Sequence, residues 1–181
     1  MPIQVFILSK LMEDNNYPYK LKKQLSDPIP FDQLGGLTES KLYYHFDSLV
    51  KQGLIEIVEI IKEEHRPDKQ VFGITAKGRE ELPNKIYKMF ENAGSIGETV
   101  VGLANIKYVD RDKVVEILKN NKKKLIAKWE LIADFEKQMK MKKDQDKDKL
   151  VDYLGEYFSS RTDHTISWLE ELIGRIQQGE I

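Results

Sequence analysis

Apolar and polar positions change their rhythm half-way along this chain. In PIQVFILSKLMED, residues 2–14, Ile3, Phe6, Ile7 and Leu11 fall on one side of a helix and Val5, Leu8 and Met12 on another. Such a helix is expected to be buried nearly all round. YPYKLKKQLSD follows, with Tyr17, Leu21 and Leu25 in one stripe, Lys20, Lys22 and Lys23 away from it, and Asp27 and Pro28 as its end. Thr38 is a good N-cap for a third helix running to Gly53. At 100° per residue, Leu42, Phe46, Leu49, Val50 and Gly53 gather on one arc and Ser40, Tyr44, Asp47, Ser48 and Lys51 opposite, flanked by Lys41 and Tyr43. His45 falls beside the apolar arc and reads as a core-edge residue.

From Leu54 the rhythm shortens. IEIVEIIKEE is rich in β-branched residues, HRPDK has the proline and aspartate of a turn, and QVFGIT is a second strand. The result is a β-hairpin with Arg66 and Lys69 near its tip. Thr75 then caps a helix over AKGREELPNKIYKMFEN with Leu82, Ile86, Met89 and Phe90 as its inner stripe, which Pro83 is expected to distort or interrupt.

Beyond Gly102 there are no prolines, and two long helical patterns flank KMKKDQDKDK. Val115, Leu118, Leu125, Trp129, Ile132 and Met139 recur in steps of three and four, with Lys122 and Glu136 in the two polar gaps. The second stripe holds Leu150, Leu154, Tyr157, Phe158, Trp168, Leu172 and Ile176. A single two-helix hairpin has too little core to shelter two tryptophans, so a second copy of the chain is expected to cover Val115, Leu118, Leu125, Trp129, Ile132, Leu154, Phe158, Trp168 and Leu172. The glycine-containing stretch between Glu91 and Asp110 reads as a hinge with one short helix. The expected division is therefore 1–92, a hinge at 93–110, and a helical dimerisation domain at 111–181.

Composition narrows the functional classes. The absence of cysteine removes disulfides, thiolate nucleophiles and sulfur-ligated zinc, and His45, His65 and His164 lack the spacing of a metal pair. Neither GxSxG, GxxxxGK nor HExxH occurs, so neither an enzyme nor a cofactor is expected. No run approaches the roughly 18 to 20 apolar residues that cross a bilayer, and no leader is recognisable, which points to a cytoplasmic protein without a membrane partner. The net charge of -1 lacks the basic excess of many nucleic-acid binders. Any such role must rest on where the charges stand.

Three short helices followed by a β-hairpin describe a winged helix-turn-helix, so the fold class is mainly α with a small β-hairpin. LYYHFDSLVKQGLIE and HRPDKQVFGITAKGREEL resemble the PadR family of bacterial transcriptional regulators, through QGLI at 52–55 and Ile74, Thr75, Gly78 and Leu82. YPYKLKKQL is similar to that family's second helix through Tyr19, Leu21 and Leu25. The long-helix half resembles the extended C-terminal domain of the AphA-like branch. The chain departs from many relatives at Tyr44, where Tyr-Pro is common, and at Phe46, where leucine is usual.

The resemblance implies a regulator, a repressor in the first instance, acting as a homodimer on a palindromic operator in double-stranded DNA through the helix at 39–53 and the wing at 55–75. Lys41 stands at the helix end that approaches base edges, with the hydroxyls of Ser40, Tyr43 and Tyr44 around it. Tyr19, Lys20, Lys22, Lys23, Lys51, Arg66 and Lys69 are placed for backbone contacts, which position without specifying. Asp47 is awkward on this face unless it accepts from a cytosine amino group. A small-molecule effector of unknown identity would relieve binding, and Trp129, Trp168, Tyr153 and Tyr157 are candidates to line its pocket. The competing reading is a winged-helix module that binds protein and not DNA. It is favoured by 13 basic against 13 acidic residues in 1–90.

Overall fold

The computed structural model describes residues 2–25, 30–34, 39–62, 68–140 and 145–181. It divides into two compact units, Met1–Asp110 and Arg111–Ile181. In the first, α1 (Pro2–Glu13), α2 (Pro18–Lys23), α3 (Phe31–Leu34) and α4 (Glu39–Lys51) precede β1 (Ile55–Ile61), β2 (Lys69–Ile74) and α5 (Ala76–Asn92). A short α6 (Val100–Ala104) lies between the 3-10 turns Ile96–Thr99 and Ile106–Tyr108. The fold is a winged helix, mostly helical with one two-stranded antiparallel sheet.

The doubly apolar pattern of α1 makes it the axis of this unit. Ile3, Val5, Phe6, Ile7, Leu8 and Leu11 are all buried, and α1 packs against α4, α5, α6 and β2. Leu21 and Leu25 from the second helical stripe, Leu42, Phe46 and Leu49 from α4, and Leu82, Ile86, Met89 and Phe90 from α5 complete the core. The Phe46 ring packs on Phe72 of β2 at 4.9 Å, which ties α4 to the hairpin. Outside the sheet proper, Asn16 and Phe72 exchange backbone hydrogen bonds of 3.0 and 2.8 Å, so the α1–α2 loop adds a bridge to β2.

The end of α4 is fixed by a specific set of bonds. Gly53 takes φ 68°, the left-handed conformation that glycine adopts most cheaply. Leu54 N–H then reaches the Leu49 carbonyl at 3.0 Å and Gly53 N–H the Val50 carbonyl at 2.8 Å, the paired closure of a Schellman end. Thr75 caps α5 by accepting from Gly78 N–H at 3.0 Å, and the same hydroxyl donates to the Gly53 carbonyl at 2.8 Å. Thr75 N–H bonds the Leu54 carbonyl, and Lys77 Nζ the Gln52 carbonyl at 2.8 Å. A methyl group on Gly78 would meet the Leu54 carbonyl oxygen and Ile74 Cγ1.

Several expectations are corrected. Val50 is 37% exposed and lies outside the core arc, because the chain turns away at Gly53 and, among the described residues, no neighbour covers it. Helix α5 runs unbroken through Pro83: the lost hydrogen bond is tolerated while Leu82 and Ile86 on either side stay buried. Helix α2 ends at Lys23, and the turn of α3 is too short to leave a periodic signature. The segment read as a hinge is folded within the first unit, with Val101 and Ile106 buried and Gly102 packed so closely on Phe90 that a side-chain carbon there would stand 3.1 Å from the ring. The expected Thr38 cap and the centre of the HRPDK turn lie outside the described residues.

The second unit is two helices, α7 (Arg111–Lys140) and α8 (Gln145–Gln178). They run antiparallel, since Lys122 pairs with Glu170 at 3.0 Å while Trp129, further along α7, stands beside Gly155 and Ser159. The stripe expected as one continuous dimer seam divides. Val115, Leu118 and Leu172 are buried in the single chain, Leu125 and Trp129 are half-buried, and Ile132, Leu154, Phe158 and Trp168 are exposed. No helix among the described residues is long and apolar enough to cross a membrane.

Two stability tests follow from the first unit. Gly78→Ala is expected to cost about 3 kcal/mol in urea denaturation, because the obstacle is backbone rather than a flexible side-chain tip. Lys85, buried on α5, donates to Gln4 Oε1 at 3.0 Å and lies 3.5 Å from Gln52 Oε1. Burial lowers its ammonium from the ordinary 10.5, partly opposed by Glu81. The unfolded chain therefore holds this proton more tightly, and stability rises with pH from the depressed folded value up to 10.5. Lys85→Met is expected to flatten that rise in a pH series of urea midpoints and to raise stability at neutral pH by about 1 kcal/mol. An unchanged slope would assign the rise to another group.

Candidate nucleic-acid interface

Helix α4 buries one side and leaves the other bare. Leu42, Phe46 and Leu49 anchor it, which turns Lys41, Tyr43, Tyr44, Asp47 and Lys51 outward. Tyr43 is 54% and Tyr44 69% exposed, a large apolar surface for a helix that has a core side available. Between them and the core sits His45, half-buried, with Nδ1 buried and without a hydrogen-bond partner among the described residues. Desolvation first, then the positive N-terminus and Lys41, lower its pKa from the ordinary 6.5, so the ring is neutral at neutral pH and adds no charge to the face.

Two other elements border this face. On α2, Tyr19 is 50% exposed and the Lys23 ammonium stands 5.1 Å from its ring centroid. Lys20 pairs with Asp14 at 3.7 Å, both exposed, and Lys22 is half-buried. On the wing, the Lys69 ammonium lies 5.6 Å from the ring of Tyr17. Between α2, α4 and the start of β2 opens a cleft of about 300 Å³ lined by Tyr17, Pro18, Tyr19, Tyr43, Phe46, Asp47, Asp68, Lys69, Gln70 and Phe72. Hydroxyls and ammonium groups on α2 and the wing thus border one exposed helix, the arrangement that lets a helix enter a major groove while its neighbours hold phosphates.

The family described as the transcriptional regulator PadR-like family matches residues 7–84, the stretch that holds α2, α4 and the hairpin. The matched stretch lies within the first unit. Over whole chains, the crystal structure of Bacillus subtilis PadR in complex with operator DNA is similar at 16% identity, covering 97% of this chain and 99% of that one, with a TM-score of 0.42. The same protein in complex with p-coumaric acid is similar at 17% identity over 98% and 99%, TM-score 0.41. The structure of smu.1604c from Streptococcus mutans UA159 is similar at 17% identity over 94% and 98%, TM-score 0.43. No curated protein matches this sequence.

Within the matched stretch, Tyr19, Tyr43 and Lys69 meet in the cleft, Lys41 and Tyr44 stand on the outer side of α4, and Lys51 is exposed at its far end. The Ser40 side chain and Arg66 lie outside the described residues. Sequence reasoning passed over Tyr17, Asp68 and Gln70 as members of one cleft. Tyr17 has the spacing of a core stripe position, and nothing local says that the wing returns beside it. In the second unit, Trp129 borders an open polar hollow with Asp152, Glu156 and Asp163, while Tyr153, Tyr157 and Trp168 are exposed.

Proposed function

We propose that this protein is a DNA-binding transcriptional regulator, a repressor in the simplest case, that grips a palindromic operator as a homodimer. The observation that carries this reading is the outward face of α4: Lys41, Tyr43 and Tyr44 exposed on a helix whose other side is locked into a PadR-like core. Lys41 and Tyr44 read base edges, and Lys20, Lys22, Lys23, Lys51, Arg66 and Lys69, with Tyr19, hold the backbone. Ser40 and Tyr43 add hydroxyl donors beside the same groove. The second unit supplies the pairing, since Ile132, Leu154, Phe158 and Trp168 leave more apolar surface in water than a two-helix hairpin sustains alone. Val115, Leu118 and Leu172, buried, and Leu125 and Trp129, half-buried, are less available to a partner. An effector that relieves binding is compatible with the aromatic surface of α8, though no chemistry there selects one.

A second reading rests on β1. Ile57, Val58, Ile60 and Ile61 are all at least 38% exposed, and Glu56 before them and Glu59 among them are exposed carboxylates. Phosphate is repelled by such a strand, and a protein partner suits it better. The two readings part in a direct assay.

Purified protein is expected to retain fragments from sheared genomic DNA at about 50 mM salt and to release them as salt rises. On the selected sequence, Lys41→Ala and Tyr44→Ala should each weaken binding by about 1 to 3 kcal/mol, whereas Lys23→Ala should weaken all sequences alike. Absence of retention at low salt would favour the protein-binding module. In sedimentation equilibrium the protein should behave as a dimer and Trp168→Glu should shift it toward the monomer, since a carboxylate cannot remain buried unpaired. A wild-type monomer would sink the paired arrangement.

A further inference from the structure

The interior of the cleft beside α4, unlike its lysine rim, suits a cation better than a phosphate. Its walls are the rings of Tyr17, Tyr19 and Tyr43, and its charged members are Asp47, Asp68 and Lys69, two carboxylates against one ammonium. Aromatic faces attract cations through the negative potential above the ring, and carboxylates attract them directly. The cleft already shows this preference, because the Lys69 ammonium rests 5.6 Å from the Tyr17 ring centroid. A lysine from the wing thus occupies the place an outside cation would take.

We propose that this cleft is a binding site for a small organic cation, an alkyl- or arylammonium, which displaces Lys69 from Tyr17 and seats its charge between the tyrosines and Asp47 and Asp68. The volume of about 300 Å³ lies at the small end of ligand sites and admits one aromatic ring with a substituted ammonium head. Because Tyr43 belongs to α4, Tyr17 precedes α2 and Lys69 begins β2, an occupant bridges the exposed helix and the two elements beside it. Resting on the DNA-binding reading, an occupant lodged against Tyr19 and Tyr43 covers side chains that this reading gives to the DNA, and so opposes DNA binding.

The test uses the full chain without DNA, titrated with benzyltrimethylammonium chloride at low salt and followed by calorimetry and tyrosine ring NMR shifts. Benzyl alcohol and benzoate serve as neutral and anionic controls. Saturable binding of the cation alone is expected. Tyr43→Ser and Asp47→Asn, both exposed positions, should each weaken it by about two- to five-fold. Lys69→Met should tighten it by a similar factor, since it removes both the competing ammonium and a like charge. No saturation in either the wild type or the Lys69→Met variant, equal binding of benzyl alcohol, or indifference to Asp47→Asn would overturn the site. A second titration against the selected DNA separates the two claims. Release of DNA by the cation, beyond that caused by equal sodium chloride, supports the antagonism, and cation binding that leaves DNA in place overturns the antagonism alone. DNA binding without cation binding overturns the site and spares the regulator.

Discussion

The Thr75 hydroxyl joins the two elements on which this domain's working surface depends. It accepts from Gly78 N–H to start α5 and donates to the Gly53 carbonyl where α4 has just ended. One side chain therefore caps one helix and receives the end of another, and the hairpin between them is held at its base. Gly53 and Gly78 serve this joint in different ways. The first supplies a left-handed turn, and the second supplies space for the Leu54 carbonyl. A net hydrogen bond is worth only about 1 kcal/mol, so the joint acts less by its strength than by its geometry. With Phe46 stacked on Phe72, it leaves α4 little freedom to rotate against the wing.

A fixed helix makes local charge matter more than total charge. The chain as a whole carries -1, and long-range attraction to a polyanion is accordingly weak. Lysines near the cleft are also partly engaged: Lys23 over Tyr19, Lys69 over Tyr17, Lys20 with Asp14. Exposed pairs of this kind are worth about 1 kcal/mol or less, so a phosphate can recruit these ammonium groups at small cost. Asp47 on the same side of α4 works the other way, since it penalises any approach that does not satisfy it. Such a surface binds loosely in general and tightly only where its donors and its carboxylate are all matched.

Much of this was legible because it is local. The period of 3.6 in Leu42, Phe46 and Leu49, the β-branched run after Leu54, and the Thr75 cap each depend on neighbours in sequence, and each element stands where those signals put it. The misreadings were decided at longer range. Val50 has the right composition for a core residue but lies where no other element passes. Gly102 looked like a flexible joint, yet its missing side chain makes room for Phe90. The cleft was invisible for the same reason: Tyr17 and Lys69 are more than fifty residues apart, and only the return of β2 toward the α1–α2 loop brings them together. The side chains expected to touch DNA could be named from one helical face, whereas the aromatic box beside them needed the tertiary fold.

The two units then impose complementary demands. A domain with balanced charge and a few engaged lysines offers one short helix to a groove, and a single such contact has little affinity to offset the loss of rotational and translational freedom on binding. The long hairpin has the opposite deficiency, an excess of apolar surface at Phe158 and Trp168 that its own two helices do not cover. The pairing proposed above would relieve both at once. In such a pair the apolar surface would leave water, and the second helix would engage at the high effective concentration set by the first. A chain in which either half stood alone would have no physical reason for the other's shortfall: a strongly basic winged helix could bind DNA as a monomer, and a self-contained hairpin would bury its tryptophans without help. The weak charge of the first unit and the exposed aromatics of the second are on this view two sides of one design.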